Sequence, residues 1–162
     1  MKSKRNYSFK KAKNLITGII KVTLDDMARY QNESIQRGID TQTDIKGAKF
    51  AKLKKSTLQI RNKRGHGFTP LDTMKGNTQK KLRNTKIIFA KENNLISKIL
   101  MLTKHGVYHN EGFVTDENSM IKNKKVPKRE WFGITKDMKT DGKQYKTFVK
   151  MTLFKIIQSL KK

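Results

Sequence analysis

Ile16, Ile20, Leu24, Met27 and Ile35 recur at steps of three, four or eight, and Leu15, Ile19 and Val22 widen the same stripe. That spacing predicts one helix opening at about Ser8, with Ser8 as its N-cap, and stopping at Gly38. Asp25 and Asp26, with Arg29 one turn later, fall on its polar side. Such a helix is too long to bury against a small domain along its full length. Its stripe forms one side of the chain's own core, or part of it packs against another chain.

A second helical pattern closes the sequence. From Lys143 to Leu160, the positions Tyr145, Phe148, Val149, Thr152, Leu153, Ile156, Ile157 and Leu160 follow 3–4–3–4 spacing, and Thr135 with Asp137 can cap a turn near 136–140. Between the helices, Ile87–Phe89 and Leu95–Leu102 are apolar runs split by Glu92-Asn93-Asn94, which reads as an antiparallel hairpin. The second run is apolar almost throughout, as in a strand covered on both faces, and the first helix is the obvious cover.

The remaining segments read as connections and short elements. Asp40–Gly47 is a polar link, and Phe50 and Leu53 stand three apart among lysines. Lys54–Arg64 is a short basic helix or arm broken by Gly65-His66-Gly67. Thr69-Pro70-Leu71 opens another short element, which Gly76 separates from Thr78–Leu82. Lys104–Phe113 is a turn or one short helix. The fold class expected is α+β: a long N-terminal helix, a small antiparallel β-sheet, and a C-terminal amphipathic helix packed on the sheet. It forms a single domain over 1–162, with a flexible basic arm at 1–7 and an exposed loop at 114–125.

Lys125–Ile134 stands apart from these patterns because it holds the only tryptophan and one of two prolines. Pro127 fixes its own φ and pushes Val126 towards extended backbone, so the segment enters straight. Trp131 and Phe132 then act as an anchor, in the core or in a neighbouring subunit.

Against 13 Asp and Glu stand 38 Lys and Arg, a net charge of +25. A chain this basic repels itself unless it works beside something anionic: nucleic acid, an acidic protein surface or acidic lipid. An AT-rich coding sequence, which favours Lys, Asn and Ile, produces the same bias without any such partner. The lysines concentrate at 2–13, 46–64 and 122–129, a spread that suits contact with phosphates without reading bases. With no cysteine, a disulfide framework and a thiolate zinc site are excluded. No stretch approaches the roughly 18 apolar residues of a membrane span, and no cleavage site follows the basic N-terminus, so synthesis in the cytoplasm is the default and no membrane is expected.

Catalytic groups are few. His105 and His109 are spaced i, i+4, as a shared metal on a helix face would need, but Gly106 between them and Gly112 after them work against a stable helix there, and Glu111 is the single nearby carboxylate. His66 stands apart from both. Asp25 and Asp26 point about 100° apart on a helix and do not converge on one magnesium ion. No phosphate-binding glycine loop and no nucleophile elbow is present. No enzyme activity, cofactor or metal is expected. Zinc-finger spacing, aromatic RNA-binding strands and a heptad zipper are missing as well.

The order of landmarks carries more. Gly47-x-x-Phe50-x-x-Leu53 and Thr57, a basic stretch, Pro70-Leu71-x-Thr73, strands, Tyr108-His109-x-x-Gly112, and Val126-Pro127-x-Arg129-x-Trp131-Phe132-Gly133-Ile134 follow one another. This succession resembles the tailed-phage virion-morphogenesis, or tail-completion, family over roughly residues 45–160, with Pro127, Arg129, Phe132 and Gly133 on the family's Pro, Arg, Phe and Gly. Departures are Phe50 for the usual tryptophan, Lys52 for the proline before Leu53, Glu130 for the second proline, and Met74-Lys75-Gly76 after Thr73 where a glycine usually follows at once.

The resemblance implies a non-enzymatic structural virion protein made in the host cytoplasm and located at the head–tail junction. It implies a homo-oligomer, a hexameric ring around the DNA channel, docking to neck, tail-terminator or head-completion proteins. In such a ring, Pro127, Arg129, Trp131, Phe132, Tyr108 and His109 are candidates for subunit or partner contact. Lys54, Lys55, Arg61, Lys63 and Arg64 are candidates for non-specific contact with passing DNA. The alternative is a non-enzymatic basic nucleic-acid-binding protein of ribosomal or nucleoid type.

Overall fold

A computed structural model describes residues 2–65, 68–71, 82–117 and 122–161, with backbone alone for residues 2–7 and His105. His66, Thr73–Gly76 and Thr78–Lys81, on which the sequence raised expectations, lie outside the described residues. The elements run α1 (Lys2–Thr41), α2 (Lys55–Lys63), β1 (Thr85–Ile88), β2 (Lys98–Met101), α3 (Lys104–Glu111), β3 (Phe113–Val114), β4 (Lys125–Val126), a 3-10 turn (Lys136–Met138) and α4 (Lys143–Leu160). β1 pairs with β2, and β3 pairs antiparallel with β4 with Phe113 opposite Val126. The architecture is α+β, with a long N-terminal helix, two small two-stranded sheets and a C-terminal helix.

α1 is longer than the spacing predicts at both ends. It starts at Lys2 and takes in the arm expected over 1–7, because no proline or glycine interrupts the chain before Gly18 and Lys and Arg are good helix formers. At the other end, the helix passes through Gly38. The αL position falls instead on Gln42, at φ 55°, where Thr43 N–H donates to Gly38 O at 2.9 Å and Gln42 N–H to Ile39 O at 3.4 Å. This double bond pattern closes the helix as a Schellman motif. A glutamine tolerates the position because its side chain is held at both ends: Nε2 donates to Ile39 O at 2.7 Å and Oε1 accepts from Leu71 N–H at 3.0 Å.

The chain folds as two compact units. The first comprises residues 1–31, 87–99 and 137–162. Its buried apolar residues are small or few: Ala28, Ala90 and Met138, beside Gln31. Polar staples hold it instead. Asp25 Oδ1 accepts from Ala90 N–H at 2.9 Å and from Ser97 Oγ at 2.8 Å, tying the helix to the hairpin turn. Thr152 Oγ1 donates to Thr23 Oγ1 at 2.9 Å, and Tyr30 meets Phe148 edge-on at 6.1 Å, seating α4 on α1. Arg29 lies over the Phe89 ring at 5.1 Å. The hairpin turn is as expected, with Lys91 bridged to Asn94 in antiparallel fashion. The second run is not covered on both faces, since Ile96, Leu100 and Leu102 are exposed.

The second unit comprises residues 32–86 and 100–136. It has a true core, in which Ile35, Ile39, Leu71, Leu82 and Trp131 are each at most 2% exposed. The last turns of α1 supply two of these residues. Asn32 and Gln36 reach Thr85 Oγ1 on β1, and Arg83 pairs with Asp40. Residues 118–121 of the segment expected as an exposed loop at 114–125 lie outside the described residues, and on either side of them the chain is paired. Thr115 N–H donates to Lys124 O at 3.0 Å and Lys124 N–H returns to Thr115 Oγ1 at 2.7 Å.

Candidate functional site

The segment 126–134 is where the landmarks converge, and the second unit is built around it. Pro127 has no N–H to donate, so the β3–β4 ladder ends at Val126 and the chain peels away from it. It then runs along α3, held through two of its main-chain N–H groups: Arg129 N–H donates to His109 O at 2.9 Å, and Phe132 N–H to the Asn110 side-chain Oδ1 at 3.0 Å. Close approach requires Gly112, at φ 75°, where a Cβ would stand 2.9 Å from Lys128 N. On its other side the segment meets the link after α1. Ile45 N–H donates to Glu130 O at 2.8 Å, and Lys136 N–H to Ile45 O at 2.9 Å.

Trp131 sits inside this clamp. Its indole N–H donates to Gly106 O at 3.2 Å, and its ring meets Phe132 edge-on at 5.5 Å. A Cβ on Gly106 would lie 2.2 Å from Met101 Sδ and 2.9 Å from Trp131 Cζ2. The glycine that made a helix over 104–111 doubtful in the sequence is therefore the space the tryptophan occupies. Trp131, at 1% exposure, belongs to the core of its own chain and has no surface to offer a neighbour. The interface role expected for it is corrected accordingly. Phe132 is half-buried beside it.

The other candidates for contact are distributed unevenly. Pro127 is exposed. Tyr108 is 50% exposed and packs on Phe113 at 5.7 Å, next to exposed Val107 and Val114, so α3 and β3 share one apolar surface. His109 and Arg129 are half-buried, with Arg129 Nη1 3.5 Å from His109 Nδ1. Burial, and then the positive charge of Arg61, hold the Arg129 guanidinium below the ordinary arginine range. Glu130 binds Lys128 at 2.6 Å and Lys46 at 3.2 Å. Hydrogen bonds from these two lysines, and then their charges, pull its carboxyl below the usual range.

The five basic residues proposed to face DNA do not act alike. Lys54, Lys55, Lys63 and Arg64 are exposed on or beside α2. Arg61 is half-buried and donates from Nη1 to Thr69 O at 2.8 Å. It holds the chain after α2 in place, a role set by its position on the inner side of that short helix.

One surface was missed in the sequence. The apolar positions of α4 span about 180° at 100° per residue, wider than the roughly 100° stripe of a helix with a single core face. They divide into two faces. Tyr145, Phe148, Thr152 and Ile156 are half-buried, whereas Val149, Leu153, Ile157 and Leu160 are exposed, as are Met151 and Phe154. The width of the arc was the available signal.

Among the described residues, no group of three or more His, Asp or Glu side chains could hold a metal ion, and no helix is long and apolar enough to cross a membrane. Comparison with protein-family models, curated proteins and solved structures found no match to this chain.

Proposed function

We propose that this chain is a structural component of a tailed-phage virion, a neck or tail-completion protein that joins head and tail as a ring of like subunits around the DNA channel. The observation that carries the reading is the outward apolar face of α4, set in a unit whose own core is little more than Ala28, Ala90 and Met138. Four apolar residues at i, i+4, i+8 and i+11 form a seam that another copy can cover, and burial of such surface is the main driving force of association. The succession of landmarks from Gly47 to Ile134 supports placing that assembly at a head–tail junction.

The second reading, a basic nucleic-acid-binding protein, rests on Lys54, Lys55, Lys63 and Arg64, all exposed on one short segment. Salt separates the two. Subunits that carry +25 each repel one another, so a ring held by apolar seams gains from added salt. Phosphate contact loses affinity as salt rises, through counterion release. Mass photometry and negative-stain imaging across a salt series, with the protein alone and mixed with tail tubes, test the proposal. Rings that persist at high salt and cap the tubes are expected. A monomer at every salt concentration that binds duplex DNA with a steep salt slope would replace it by the second reading.

A further inference from the structure

The second unit also holds an open groove of about 860 Å³ whose floor is Phe50, Leu53, Leu58, Phe68 and Pro70. Its walls are fixed by main-chain contacts. Arg61 holds Thr69 O, Gln42 Oε1 holds Leu71 N–H, and Phe50 N–H donates to Gln42 O at 3.0 Å. Pro70 carries the chain from Phe68, 58% exposed, to Leu71, fully buried, so Phe68 stays at the open side of the floor. Lys52 and Lys55 lie at the rim, and among the described lining residues there is no carboxylate. Residues 45–71 contain eight Lys or Arg and no Asp or Glu.

From this combination we infer that the groove docks an acidic peptide segment of a partner protein. A bulky apolar side chain of that segment seats against Phe50 and Phe68, and its Asp or Glu residues face Lys52 and Lys55. Apolar burial at the floor supplies affinity, and the lysine rim supplies steering and selects against basic segments, including other copies of this chain. Single-stranded nucleic acid also uses aromatic rings beside lysines. Here three of the five floor residues are Leu or Pro, which offer no face for base stacking, and Thr69 Oγ1 in the wall is itself buried. The inference does not depend on the head–tail reading, because it concerns a different surface from the α4 seam.

Display of random 12-residue peptides against the full chain tests it, with counter-selection on a Phe68→Ala variant. Phe68 is exposed, so its loss leaves folding intact, as a circular-dichroism melt checks. Enriched peptides are expected to carry an aromatic or Leu anchor flanked by Asp or Glu. Their affinity, by fluorescence anisotropy, is expected to fall at least tenfold on Phe68→Ala and at least tenfold on the Lys52→Glu, Lys55→Glu double variant. The inference is overturned by any of three outcomes: no enrichment over the variant, enriched peptides lacking either acid or anchor, or oligo-dT that displaces the peptides and binds more weakly to Phe68→Ala. Ring assembly on tail tubes is read separately, so loss of either property leaves the other measurable.

Discussion

The two units of this protein solve the problem of a lysine-rich chain in opposite ways. In the second unit, five large side chains are at most 2% exposed, and a single tryptophan is enclosed by α3, the 126–134 segment and Met101. In the first, the buried apolar residues are two alanines and a methionine, the staples are polar, and twelve large apolar side chains among the described residues are exposed. One unit has a finished core with its described lysines exposed and Arg61 and Arg129 half-buried. The other keeps its largest apolar side chains at the surface, where only a partner can bury them. A region that completes its own core has reason to be rigid and to carry precise docking surfaces. A region that leaves apolar seams open has reason to assemble.

The contrast is broken most forcefully at Trp131. Trp131→Ala removes the centre of the finished core and is expected to cost about 3–5 kcal/mol, measured by urea unfolding followed by far-UV circular dichroism. Hydrogen exchange sharpens it: protection is expected to fall across 32–71 and 100–136, with residues 143–160 retaining theirs. Equal loss over α4 would mean that the two units unfold as one. Gly106→Ala attacks the same core from the other side. Its methyl group collides with Met101 Sδ and Trp131 Cζ2, and overpacking of that kind is expected to cost about 1–3 kcal/mol.

Asp25 is the corresponding point in the first unit, and a smaller effect is expected there. Asp25→Ala leaves Ala90 N–H with only its 3.1 Å contact to Ser97 Oγ, at a cost of about 1 kcal/mol. The carboxyl of Asp25 is raised by burial, yet the Ala90 and Ser97 hydrogen bonds and the charges of Lys21 and Arg29 together hold it below its ordinary value of 3.8. A depressed carboxylate stabilises the fold above its unfolded pKa, and that stability is lost as pH falls through the folded one. Resistance of the native protein to thermal unfolding is therefore expected to fall as pH drops below about 3.8, and Asp25→Asn should flatten that dependence for α1 and the 87–99 turn. Glu130, held low by Lys128 and Lys46, gives the second unit its own acid sensitivity, so local exchange is the readout that separates them.

The sequence made these elements legible to different degrees, for physical reasons. Helical periodicity placed α4 at Lys143–Leu160, and the Asn-Asn turn placed the hairpin, because both signals are local. The ends of α1 were less legible. A Schellman closure with glutamine in the αL position depends on Leu71, 29 residues away, and no local pattern announces it. The anchor at 127–134 stood out through its composition, but whether Trp131 faced inward was settled by Gly106, a distant glycine read from sequence as a helix breaker. Arg61 looked like its neighbours because charge alone does not tell an arginine that holds a carbonyl from one that faces solvent. The groove went unread as well. Phe50 and Leu53 were visible as a pair, yet the rest of the floor they share comes from Leu58 in α2 and from Phe68 and Pro70 after it.

The smallest expected change in stability tests the largest claim about assembly. Leu153 and Ile157 are 55% and 52% exposed, so a Leu153→Asp, Ile157→Asp double variant is expected to leave the melting curve of the monomer within about 0.5 kcal/mol of the native chain. The same two carboxylates, placed in the middle of the outward face of α4, would be desolvated on association without a designed partner. Assembly, read by mass photometry at high salt, is expected to disappear. If the variant assembles normally, the seam is elsewhere, and the exposed surface shared by Tyr108, Phe113 and Val114 on α3 and β3 is the next place to put a charge. If the variant unfolds, the outward face belongs to the fold of the first unit after all, and the contrast between a finished and an open core fails with it.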